Sequence, residues 1–173
     1  MRNSAYALVM SAALAAPFSG CATLGLALNR ALPDRGRECP GPLVPPEEVP
    51  GDFILRQNVR VEGEDLEWAL TLVSQKRGPT LVLVGLDPFG AKLFTLTQRA
   101  SEVTVERPSG RLPLPPVNLL RDLQRTRFMR PGTPPESGVT MASDSAGTVR
   151  IHHAVCGYDT TFVTVKDEAL PPP

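Results

Sequence analysis

His152 and His153 are the only histidines of the 173-residue chain, and Cys21, Cys39 and Cys156 are its only cysteines. With the run Ser143-Asp144-Ser145, they are the residues whose types and spacing could do chemistry. Adjacent residues of a strand point to opposite faces, so the two histidines cannot readily share one metal ion. His152 and Cys156 can approach if the chain bends at Gly157, but a structural zinc site needs four ligands. A Ser-His-Asp triad is set by geometry rather than spacing. Ser143-Asp144-Ser145, however, lacks the strand–elbow–helix context that activates a serine, and a polar turn is the better reading. The chain has no phosphate loop and no dinucleotide fingerprint. The sequence therefore predicts no catalytic residue, no metal and no cofactor, and the chain is expected not to be an enzyme.

Cys21 asks for a different chemistry. Ala5 to Phe18 is a nearly unbroken apolar run behind Arg2, the only charge before Arg30. It is short of the roughly 20 residues a membrane span needs, and it fits the apolar region of a secretory signal. The stretch Phe18-Ser19-Gly20-Cys21 resembles the end of a bacterial lipoprotein signal, with Phe18 where Leu is usual. That resemblance implies a signal peptide over residues 1–20 and a lipidated Cys21 as first residue of the mature chain. Ala22, in place of Asp, points to the outer membrane. The alternative is a plain secretory signal cut nearby.

The 18 basic and 18 acidic residues balance, so no basic face argues for nucleic acid. With Cys21 set aside, Cys39 and Cys156 either pair in an oxidising compartment or remain separate thiols. Residues 21–51 read as the lipidated N-terminus and a linker, because Pro33 to Pro50 ("PDRGRECPGPLVPPEEVP") is rich in proline and poor in core residues. Residues 52–166 read as one domain and 167–173 as a disordered tail.

Within that domain the hydrophobic period is two. "FILRQNVRV", "LEWALTLVS", "TLVLVGL", "AKLFTLTQ" and "EVTVE" alternate or run apolar, separated by short turns. Such a pattern predicts an antiparallel meander. Pro116 opens a helix whose stripe is Val117, Leu120, Leu123 and Phe128, broadened by Leu119. Arg121, Arg125 and Arg127 are expected on its solvated face. Two strands, "TVRIHH" and "YDTTFVTV", close the domain. The fold class is α+β: a curved antiparallel sheet of about seven strands, covered by one main helix as a half-open barrel or a plain sandwich.

Trp68 to Arg111 resembles the outer-membrane lipoprotein receptor LolB. The shared pattern is a Trp-bearing strand, a very apolar strand, Asp-Pro-hydrophobe-Gly and an alternating strand, here "TLVLVGLDPFGAKLFTL". The chain is also similar to LolB-like lipoproteins found in aryl-polyene gene clusters, which share Gly157-Tyr158 near the last strand. The resemblance implies a LolA/LolB-like half-barrel enclosing a cavity for acyl chains. Leu66, Trp68, Leu70, Leu72, Leu120 and Leu123 are its candidate lining, and ordinary core is the alternative reading. It also implies a membrane-insertion turn at Pro88, Phe89 and Gly90. From the residues alone, Phe89 either projects or folds back onto the sheet.

The expected function is a periplasm-facing, lipid-anchored outer-membrane protein. It would bind and transfer a hydrophobic or acylated ligand (lipoprotein, lipid or polyene), with a carrier protein as a further partner and no nucleic acid. The alternatives are a scaffold lipoprotein that binds a protein partner, or a hydrolase using His152 or His153.

Overall fold

A computed structural model of the chain describes residues 38–106, 112–128 and 136–171. The signal peptide expected over residues 1–20, and Cys21, lie outside the described residues.

Strict alternation in β1 (Asp52–Gly63) buries Phe53, Leu55, Gln57, Val59 and Val61 on one face and leaves Arg56, Asn58 and Arg60 outside. β2 (Leu66–Arg77) follows after a two-residue turn, and pairs Phe53 with Lys76 through Gly63 with Leu66. β3 (Thr80–Leu86), β4 (Lys92–Arg99) and β5 (Glu102–Glu106) continue the antiparallel meander. The helix α1 (Pro116–Phe128) comes next. β6 (Val139–Ser143), β7 (Thr148–His153) and β8 (Tyr158–Leu170) then return, and β8 inserts beside β1. The order β5-β4-β3-β2-β1-β8-β7-β6 makes one eight-stranded antiparallel sheet, open at β5 and β6.

The inner sheet face and α1 share one apolar core. Leu72, Leu81, Leu83, Phe94, Leu96, Ile151 and the helix residues Leu119, Leu120 and Leu123 are all fully buried in it. α1 crosses the sheet: Gln124 meets Gln98 on β4, and Asp122 meets His153 on β7 and Thr160 on β8. Among the described residues, no helix is long and apolar enough to cross a membrane.

The sheet needs Gly85 where it stands. Gly85 pairs with Phe94, and the Phe94 ring lies over the glycine where a Cβ would be. Gly85→Ala is expected to lose about 1–3 kcal/mol of stability, the usual cost of overpacking a filled core. A denaturant melt checks it; an unchanged midpoint would mean that the ring moves aside freely.

Four expectations change. The described residues form eight strands rather than about seven: β6 was invisible because four of its five residues are exposed and it carries no apolar alternation. Residues 38–50 are no free linker, since Cys39, Pro46 and Val49 are buried against the domain. The expected tail at 167–173 is strand as far as Leu170, where Asp52 pairs with it at the end of β1. The arginine face of α1 is solvated only at Arg127. Arg125 is buried and Arg121 nearly so, whereas Arg127 is exposed, makes two bonds of 2.6 and 2.8 Å to Asp167 and holds its guanidinium 4.9 Å over the Phe53 ring.

Candidate functional site

The turn between β3 and β4 is built around Asp87. Its carboxylate accepts the amides of Phe89 (2.9 Å) and Ala91 (2.8 Å), and its own amide donates to the Ala91 carbonyl (2.9 Å). Gly90 takes φ +87°, a conformation that favours glycine. On this turn Phe89 projects into solvent and is 97% exposed. Pro88 and Gly90 beside it are exposed as well. The structure therefore presents one large aromatic at the tip of a hydrogen-bonded turn.

The six candidate lining residues belong to the one apolar core, Leu66, Trp68, Leu70 and Leu72 from β2 and Leu120 and Leu123 from α1. Leu72, Leu120 and Leu123 have no exposed surface, Leu66 and Leu70 are buried, and Trp68 packs half-buried against the same cluster. In this conformation their neighbours are the protein's own side chains. The inner face also holds two polar residues on neighbouring strands, Gln57 on β1 and Ser74 on β2. Gln57 pairs with Leu72, and Ser74 with Leu55. The Gln57 amide nitrogen donates to Thr164 (3.3 Å), but its Oε1 and the Ser74 hydroxyl are buried without a hydrogen-bond partner.

A charged network pins α1 to the far strands. Asp122 is fully buried on the helix; its Oδ1 accepts from Arg125 and from His153 Nε2 (2.8 Å each), and its Oδ2 accepts the Thr160 hydroxyl (2.9 Å). Arg125 also pairs with Glu136. Burial works against the Arg125 charge, but the two carboxylates outweigh it and hold its pKa above the ordinary value. Tyr158 stacks against His153 at 4.5 Å between ring centroids. Burial, and after it the Asp122 charge, keeps its hydroxyl protonated well above the usual range.

Cys39 and Cys156 form a disulfide, with Cα atoms 6.1 Å apart. A cleft of about 320 Å³ opens beside it, between residues 39–42 and the segments around Glu136–Val139 and Val155, and reaches His153. None of the six candidate lining residues borders it.

The remaining candidates separate. His152 is exposed and bonded to Asp159 (2.6 Å), on the face opposite His153. Burial disfavours the Asp159 charge, but His152 and Arg150 outweigh that and lower its pKa. With Cys156 bonded to Cys39, a zinc site shared with His152 has lost its thiolate. Asp144 accepts the amides of Ala146 (2.9 Å) and Thr148 (2.8 Å), closing the β6–β7 turn. Among the described residues, no three His, Cys, Asp or Glu side chains gather to hold a metal.

Sequence reasoning missed Asp122, Thr160, Asn118 and Gln124. The one available signal was a polar stripe at 118, 122 and 125 (spacings of four and three) flanking the apolar one, and a solvated face carries the same stripe. No curated protein matches the chain. Residues 54–137, nearly all of β1 through α1 and just beyond, match the model of a family described as a protein of unknown function, DUF3261.

Proposed function

We propose that the chain is a lipid-anchored envelope protein that binds a hydrophobic or acylated ligand and passes it on without covalent chemistry. Cys21 is the anchor, the outer membrane's periplasmic face is the location, and the sheet with α1 is a half-open barrel of the LolA/LolB kind. The observation that carries this reading is Phe89, 97% exposed on a turn that Asp87 holds rigid. A large aromatic kept in water contributes little to folding and gains by entering an apolar layer. The inner face supports the reading as well. Gln57 Oε1 and the Ser74 hydroxyl are buried without partners, each at a cost of about 1–3 kcal/mol. The polar end of an acyl ligand on that face would satisfy them. Burial of the chain supplies about 0.8 kcal/mol per CH₂. The ligand class is a lipoprotein acyl group, a lipid or a polyene, and a carrier protein is the natural donor.

A second reading has its own observation. The inner face is filled by Leu72, Leu120 and Leu123, as it would be in a scaffold lipoprotein that binds a protein partner. Mass spectrometry of protein taken from its own membranes separates the two. The carrier reading expects a chain that starts at Cys21 and carries acyl groups, plus a lipid-like adduct present under native conditions and lost on denaturation. Repeated isolation of the acylated chain with no adduct favours the scaffold. A chain without acylation removes the anchor.

A further inference from the structure

We propose that residues 38–50 are a strap that holds α1 closed over the sheet, with the Cys39–Cys156 bond as its releasable end. The proposal rests on the reading of the inner face as the ligand face.

The strap is fixed at both ends. Upstream, Cys39 is bonded to Cys156 in the turn between β7 and β8. Downstream, a short 3-10 turn at Pro46–Glu48 and the buried Val49 lead into β1 at Asp52. Between these points the strap crosses α1. Asn118 accepts the Cys39 amide (2.9 Å), and Arg121 donates to the Gly41 carbonyl (3.1 Å). Arg125 donates to the Pro40 carbonyl (3.2 Å). Gln124 accepts the Val44 amide (2.8 Å) and donates to its carbonyl (2.9 Å). Gln98 of β4 donates to that same carbonyl and accepts from Gln124, so sheet, helix and strap meet at one junction.

The composition explains the arrangement. Prolines at 40, 42, 45, 46 and 50 remove amide donors, so the strap cannot join the sheet as a strand. The Cys39 and Val44 amides and the Pro40, Gly41 and Val44 carbonyls go to helix side chains instead. This is why Asn118, Gln124 and Arg125 are buried on the side of α1 where solvent was expected. The apolar side of α1 cannot leave the sheet while the strap is held at both ends.

Release is a thiol–disulfide exchange with a dithiol. The dithiol supplies two electrons and two protons and becomes a disulfide, while the Cys39–Cys156 bond breaks into two thiols. Attack falls on Cys156, which is partly exposed, whereas Cys39 is buried.

Amide hydrogen exchange on the full chain, with and without dithiothreitol, tests the strap. Reduction should speed exchange in α1 at least tenfold and leave β3 and β4 unchanged. Uptake of a fluorescent long-chain fatty acid should rise at least tenfold alongside it. Arg121→Ala, with the disulfide intact, should move α1 exchange in the same direction by less, and it carries the test if the reduced chain aggregates. Unchanged α1 exchange in both cases overturns the proposal. Loss of protection in β3 and β4 together with α1 also overturns it, because the bond would then be a general staple. If α1 loosens alone and the fatty acid is still refused, the strap stands and the ligand reading of the inner face fails.

Discussion

Asp122→Ala is expected to destabilise the fold by about 3–5 kcal/mol, the range for removing one member of a buried ion pair. The carboxylate has no exposed surface and accepts hydrogen bonds from three elements: Arg125 on its own helix, His153 on β7 and Thr160 on β8. Its removal leaves the His153 Nε2 and the Thr160 hydroxyl buried without their acceptor. Arg125 keeps Glu136 and the Pro40 carbonyl, so the cost falls most on the far strands. Asp122→Asn keeps the volume and one acceptor oxygen, and should cost clearly less. Urea unfolding of both variants checks the claim. A loss below about 1 kcal/mol for the Ala variant, the usual range for a surface change, would mean that the network does not hold α1 to β7 and β8.

Much of the sheet was legible because its physics is local. Leu66, Leu70 and Leu72 alternate with Glu67, Ala69 and Thr71, and one buried face forces that register. The turns at 64–65, 78–79 and 100–101 fall where the pattern breaks. What stayed hidden depends on partners far away in sequence. Asp122 reads as a solvent residue until His153 and Thr160 arrive, 31 and 38 positions later. The proline-rich stretch reads as a spacer because nothing in it announces α1 side chains some 80 positions on. β6 is exposed on both faces, so the period of burial could not reveal it. Phe89 lay between these extremes. The Asp87-Pro88-Phe89-Gly90 run announced a turn, but only the structure, with Phe89 97% exposed on a turn closed by Asp87, shows which way the residue points.

Phe89→Glu is expected to fold as the parent does and to fail at delivery. A ring that is 97% exposed makes almost no folding contacts, so the change should stay within about 0.5 kcal/mol. Burying a Phe side chain in an apolar layer is worth about 1.5–3 kcal/mol, and each 1.4 kcal/mol is about a factor of ten. Loss of the ring alone should therefore slow membrane engagement by about one to two orders of magnitude. The carboxylate adds a desolvation cost to any entry into lipid. The most direct measurement is the transfer of a fluorescent long-chain fatty acid from loaded protein to phospholipid vesicles, run beside thermal melts of both proteins. The account predicts coincident melts, measurable transfer by the parent and transfer at least tenfold slower by Phe89→Glu. Equal transfer rates, or a parent that neither holds nor delivers the fatty acid, would contradict it.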